Sequence, residues 1–128
     1  MGINIIEVMK TQALLIVDHG SKRDAANDML FDMVTLLQSL KPTLIVVGAH
    51  MELADPNIPD TIKACVDAGA SHIIAHPYML SPGRHAMRDI PNMVHEAASD
   101  YDIQIEVTEP LGLDDGIINV IKKRCGLD

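Results

Sequence analysis

Two histidines and a glutamate each stand shortly after an apolar run. His19 follows the run in Ala13-Leu-Leu-Ile-Val-Asp-His-Gly-Ser21, and Glu52 closes Gly48-Ala-His-Met-Glu52. His85 is reached from His76-Pro-Tyr78 through Met79-Leu-Ser-Pro-Gly-Arg84. Glu52 falls midway along the chain between the two histidines. In an open α/β sheet, the loops at the carboxyl ends of parallel strands share one rim, so these three side chains could converge. Two imidazoles and a carboxylate on one rim can hold a divalent metal ion. Such a set admits Fe2+, Co2+ or Ni2+ and lacks the near-permanent grip of several thiolates. Neutral imidazole is also available as a base near pH 7.

The neighbouring residues fit that reading to different degrees. Gly20 allows a sharp strand-to-helix turn, and Ser21 with Asp24 forms a Ser-x-x-Asp cap signature. Glu52 could ligate a metal or orient an imidazole. His50 could contribute, or could bond backbone at a strand end. His72 and His76 belong to the third strand and read as structural; His95 lies on a helix and reads as solvated. Met51, Met79 and Met87 flank the three residues and could line an apolar cleft, which Tyr78 and Leu80 would wall. Lys22, Arg23, Arg84 and Arg88 are four of the ten Lys and Arg residues. They are either ordinary helix starts or a cationic collar for a polycarboxylate. Neither a Gly-x-Ser-x-Gly elbow nor a Gly-x-x-x-x-Gly-Lys phosphate loop occurs, so nothing in the sequence calls for a nucleotide.

The elements that must position these residues alternate along the chain. Residues 12–18 are a continuous apolar run suited to a strand buried on both faces. Ala26, Met29, Leu30, Met33, Leu37 and Leu40 follow helical spacing until Pro42. Thr43–Ala49 is a second strand. Asp55-Pro56 and Asn57-Ile58-Pro59 open a helix faced by Ile58, Ile62, Cys65 and Val66, which Gly69 closes. His72–Tyr78 is a third strand, and a Pro-Gly loop then leads to His85. Asp89 is a plausible cap for a helix with Pro91 in its first turn and Met93, Val94, Ala97 and Ala98 inward. Ile103–Val107 is a short fourth strand. After Pro110-Leu-Gly112, Asp114 opens a last helix through Ile117, Ile118, Ile121 and Cys125. Four such units predict an α/β fold, a parallel sheet with helices on both faces. Every residue of chemical interest then falls on a strand-to-helix loop.

The chain has 128 residues, which suits one domain spanning 1–128. It is 48% apolar with one Phe, two Tyr and no Trp, and eight Met supply core volume that aromatics do not. A net charge of −8 argues against nucleic acid as the main partner. Cys65 and Cys125 are too few for a zinc ribbon or an iron–sulfur set within one chain. Met1–Thr11 lacks the basic start and apolar stretch of a leader, and no run approaches membrane-spanning length. A reducing cytoplasm is the expected location, with no membrane partner.

Several stretches in order resemble the small sirohydrochlorin chelatases. They are Val17-Asp-His-Gly-Ser21, His50-Met-Glu-Leu-Ala-Asp-Pro56, Cys65-Val-Asp-Ala-Gly-Ala70, Pro77-Tyr-Met-Leu-Ser-Pro-Gly-Arg-His85, Asp89-Ile-Pro91 and Pro110-Leu-Gly112. The resemblance runs from about residue 12 to residue 124. It implies the flavodoxin-like class II chelatase fold, a four-stranded parallel sheet flanked by helices, and a homodimer. It implies that a divalent metal, Fe2+ or Co2+ first, is inserted into sirohydrochlorin for sirohaem or cobalamin synthesis. The metal is then a substrate, and no organic cofactor is needed. The metal-handling histidines carry over to His19 and His85, and the acidic partner to Glu52. Asp18 stands where many bacterial members have Gly; the Asp-His-Gly-Ser form looks more like the plant and cyanobacterial iron branch. Some plant members add a cysteine-rich tail for a cluster; ending at Cys125-Gly-Leu-Asp128, this sequence is expected to hold none.

On that resemblance, His19 and His85 share metal delivery and proton removal, assisted by Glu52. Ser21, Lys22, Arg23, Arg84 and Arg88 would meet substrate carboxylates, with Tyr78 also able to bond one. Met51, Met79 and Leu80 would pack on the macrocycle. A non-catalytic metal or tetrapyrrole carrier using the same cleft is the alternative.

Overall fold

A computed structural model describes residues 12–128. The expectation about a leader rests on Met1–Thr11 and lies outside the described residues. Four strands form one sheet: β1 (Gln12–Asp18), β2 (Ile45–His50), β3 (His72–Pro77) and β4 (Gln104–Val107). Their order is β2-β1-β3-β4, and every pairing is parallel. Four helices connect or follow them: α1 (Asp24–Leu40), α2 (Ile58–Asp67), α3 (Ile90–Ala98) and α4 (Asp115–Cys125). None of the described helices is long and apolar enough to cross a membrane.

The core follows from strand alternation. Ala13, Leu15 and Val17 of β1 share one face with Ile73 and Ala75 of β3, and all five are fully buried. Ile58, Ile62 and Cys65 of α2 and Ile90 and Val94 of α3 close that face. Burial of the Cys65 thiol pushes its pKa up to about 11. On the opposite face, α1 lies over β2 and β1. Gly48 makes that approach possible, because a Cβ there would meet Val34, Phe31 and Leu30 at 3.1–3.3 Å. Leu14 and Ile74 on the same face are only partly buried.

Local signals acted as expected at two helix starts. The Asn57 side chain accepts a bond from the Asp60 N–H at 2.8 Å, and that of Asp114 from the Gly116 N–H at 2.7 Å. Two cap expectations are corrected. Arg23, without a side-chain cap bond, precedes α1, while the Ser21 hydroxyl accepts from the Arg23 N–H at 3.0 Å in a local turn. Asp89 has helical backbone angles and caps nothing; its carboxylate is held by other side chains.

Candidate functional site

His19, Glu52 and His85 follow the carboxyl ends of β1, β2 and β3, which are neighbours in the sheet. Backbone pairing continues past the strands and places them. The Met51 N–H donates to the Asp18 carbonyl at 2.8 Å, and the Glu52 N–H to the His19 carbonyl at 3.1 Å. Gly20 is required between them. Its φ is +91°, and a Cβ on it would lie 1.8 Å from the Glu52 carbonyl oxygen.

The three side chains meet. His19 Nε2 lies 3.0 Å from Glu52 Oε1, and the His19 and His85 ring centroids are 5.1 Å apart, edge to face. Each ring of the pair is about half exposed. His19 Nδ1 lies 3.1 Å from the Gly20 carbonyl oxygen, so both nitrogens of that ring face acceptors. Among the described residues, no three His, Cys, Asp or Glu side chains are arranged to enclose an ion. In this geometry Glu52 occupies the ring nitrogen that a metal would take.

His85 is not on a loop, as the Pro-Gly sequence suggested. It opens a π-helical turn, His85–Asp89, that runs directly into α3. Such turns place residues four apart on one side and recur at functional positions. Here His85 Nδ1 donates to Asp89 Oδ2 at 2.8 Å. Arg88 Nε donates to Asp89 Oδ1 at 3.1 Å, and Arg84 Nε lies 3.9 Å from Oδ2. Hydrogen bonds from His85 and Arg88 hold the Asp89 carboxyl below its ordinary pKa of 3.8. Asp89 is therefore a member of the site that a capping argument hid. Its signal was the His85-x-x-x-Asp89 spacing.

Beneath the rim is a second pair. His50 is fully buried at the end of β2, and its Nδ1 lies 2.6 Å from Asp18 Oδ1 on β1. His50 Nε2 is buried without a partner among the described residues. Nδ1 therefore carries the proton and donates to Asp18. The sequence reading allowed His50 a ligand or a backbone bond; it ties the two strand ends together instead. His72 of β3 bonds Glu106 of β4 at 2.7 Å, and His76 of β3 bonds Thr108, just past β4, at 2.8 Å. Burial lowers the His76 pKa below 6.5.

A cleft of about 300 Å³ opens beside His19, lined by Asp18, Gly20, Ser21, Met29, Tyr78 and Met79 among others. Leu80 is exposed and lies outside that lining. Met51 is corrected: at 7% exposure it belongs to the core and does not face the cleft. Strand alternation explains this, since Met51 continues the inward phase of Ala49. Lys22, Arg23, Arg84 and Arg88 are all exposed around the rim, the last two drawn towards Asp89.

Known proteins share this architecture and these sequences. The chain is 39% identical over 112 residues to the chloroplastic sirohydrochlorin ferrochelatase of Arabidopsis thaliana, covering 87% of this chain and 50% of that protein. It is 28% identical over 140 residues to the sirohydrochlorin cobaltochelatase of Methanococcus maripaludis, covering 89% and 97%. The solved structure of the sirohydrochlorin chelatase SirB from Bacillus subtilis subspecies spizizenii, in complex with cobalt, superposes with a TM-score of 0.84 at 31% identity. That match covers 90% of this chain and 50% of the SirB chain. The CbiX family pattern matches residues 13–126. A four-stranded parallel sheet with its candidate residues following three adjacent strands, carried by a sequence matched over residues 13–126, makes this chain a member of the CbiX family.

Proposed function

We propose that this protein is a sirohydrochlorin chelatase that inserts a divalent metal, Fe2+ or Co2+, into the metal-free macrocycle. The observation that carries this is the meeting of His19, Glu52 and His85 at one open rim. The similarity to sirohydrochlorin ferrochelatases and cobaltochelatases supports it. Insertion removes two pyrrole protons for each metal ion bound. The rim offers two imidazole–carboxylate pairs for that purpose, His19 with Glu52 and His85 with Asp89. Each carboxylate steadies its ring and the positive charge that a captured proton would bring. The same rings are borderline ligands that can hold the incoming ion and release it. For His19 to serve as that ligand, Glu52 must swing from Nε2.

Arg84, Arg88, Lys22 and Arg23 are the groups suited to substrate carboxylates, with Ser21 and Tyr78 beside them. Met79 packs against the macrocycle within the cleft, and Leu80 at its exposed margin. The protein acts in a reducing cytoplasm as a homodimer, without an organic cofactor. This chain spans half the length of the Arabidopsis and Bacillus relatives.

The test is anaerobic insertion kinetics with sirohydrochlorin and Fe2+, Co2+ or Ni2+, followed by the visible spectrum. His19→Ala and His85→Ala are each expected to lower the rate at least about 100-fold with folding intact. Full activity in either variant refutes the assignment. Binding of sirohydrochlorin with no acceleration for any metal makes the protein a carrier.

A further inference from the structure

We infer that His50 and Asp18 are positioning residues for metal capture: their buried bond sets His19 against Glu52. The inference deepens the chelatase reading above and rests on it.

His50 is a costly residue for its place. It is fully buried, and its Nδ1 lies 2.6 Å from Asp18 Oδ1. Its Nε2 is left without a partner among the described residues. An unpaired buried nitrogen lowers stability, and an apolar side chain of similar size would avoid that loss. The fold accepts the loss in order to keep a donor at the other ring nitrogen.

What that donor secures lies on the rim. Asp18 and His50 are direct partners in the β1–β2 register. Asp18 immediately precedes His19, and His50 stands two residues before Glu52. The segment that carries Glu52 both leaves and returns at His50. The Met51 N–H donates to the Asp18 carbonyl at 2.8 Å, and the His50 N–H to the Pro56 carbonyl at 2.9 Å. Within that segment Leu53 has a φ of +71°, a left-handed conformation that disfavours a non-glycine residue. The segment therefore depends on its ends to hold its shape. The His50 side chain also underlies the turn after His19, since a Cβ on Gly20 would stand 3.1 Å from the His50 Cβ. Phe31 of α1 meets the His50 ring edge to face, with centroids 5.5 Å apart. One ring thus braces α1, the end of β1 and both loops that carry the His19–Glu52 contact. Without its bond to Asp18, main-chain bonds alone would couple the two loops. About 1 Å of play at either side chain is enough to cost about 100-fold in rate. The basic residues suited to the macrocycle's carboxylates lie outside this brace, so the pair should govern the metal and not the macrocycle.

The test is insertion kinetics with Co2+ and sirohydrochlorin, each concentration varied in turn. It uses the native protein, His50→Leu, His50→Asn and Asp18→Ala. Leucine fills much of the space and offers no donor, whereas asparagine carries an amide nitrogen where Nδ1 stood. His50→Leu and Asp18→Ala should each raise the KM for Co2+ about 10–100-fold and leave that for sirohydrochlorin unchanged. His50→Asn should recover most of the loss. A merely structural role would lower the active fraction, and so kcat, without moving either KM. Co2+ binding without the macrocycle, read by its visible absorption, should weaken in parallel. There the further effect of His50→Leu should shrink to less than about threefold once Glu52 is glutamine, because the two act through one contact. Native protein that inserts no metal overturns the chelatase reading and this inference together. With native insertion established, an unchanged KM for Co2+ in His50→Leu overturns the inference alone. So does a full additional loss in the Glu52→Gln background, or no recovery in His50→Asn. Should His50→Leu not fold, Asp18→Ala, altered at a partly exposed position, goes through the same cycle and decides it.

Discussion

Replacing Gly20 with alanine strikes the rim at its tightest point. The new Cβ would lie 1.8 Å from the Glu52 carbonyl oxygen and 3.0 Å from its carbonyl carbon. No side chain can rotate to relieve this, because both contacts are backbone. The left-handed φ of +91° adds a second cost. The backbone term is about 1–2 kcal/mol and forced overpacking about 1–3 kcal/mol. For a domain of this size the sum corresponds to a fall in Tm of roughly 8–20 °C. Relief requires the Glu52 loop to retreat by more than about 1 Å, which breaks the 3.0 Å contact between His19 Nε2 and Glu52 Oε1. Misplacement on that scale costs about 100-fold in rate. The assay pairs differential scanning calorimetry with insertion kinetics. Gly83→Ala is the control, because nothing lies within 4 Å of its Cβ; it should change stability by no more than about 1 kcal/mol. Native Tm and native rate in Gly20→Ala would refute the reasoning.

Other consequences are open to measurement. Asp89→Asn should lower the insertion rate about 10–100-fold by releasing the His85 ring, with little change in Tm, and equal rates would remove Asp89 from the site. The lowered Asp89 pKa contributes stability that is present above the ordinary pKa of 3.8 and lost as pH falls through the folded value. Asp89→Asn should therefore flatten stability against pH below about 4, read by chemical denaturation, and leave pH 5–8 unchanged. Asp18→Asn should cost about 1–3 kcal/mol, since it removes the carboxylate that the buried His50 serves; an unaltered denaturation midpoint would argue against that tie. In a Cys125→Ser background, Cys65 should resist thiol reagents at pH 8 until the protein unfolds, and rapid labelling of the native state would contradict its burial.

The residues at the strand ends were legible because their signal is local and repeated. Each apolar run stops where the rim begins, and parallel topology does the gathering. Strand and helix bounds moved by one or two residues, as with β2, read as Thr43–Ala49 and found at Ile45–His50. What the sequence hid was contact between separate segments. The Asp18–His50 tie joins two strands, and neither residue alone announces it. The π-turn at His85 was concealed because Pro82-Gly83 signals a loop whatever residues come after it. Ser21 and Asp89 matched cap patterns, but their oxygens found nearer or more strongly charged partners. Met29 and Leu40 fitted an inward stripe of which the fold fully buries only Leu30.

The ladder of backbone bonds does not stop where the strands do. Beyond β1 and β2 it runs through Met51 and Glu52, beyond β3 through the Tyr78 N–H to the Val17 carbonyl at 2.7 Å. The loop before α4 joins it, with Leu111 and Gly112 donating to the carbonyls of Met79 and Leu80 at 2.8 Å each. Main-chain freedom around His19, Glu52 and Tyr78 is thus surrendered when the domain folds, not when a ligand arrives. A large rigid macrocycle entering such a rim meets walls already fixed, and its association carries little of the entropy penalty that ordering flexible loops would impose. In the proposed reaction, the side chains that would still have to move are Glu52 and the arginines, which are held by other partners in this structure.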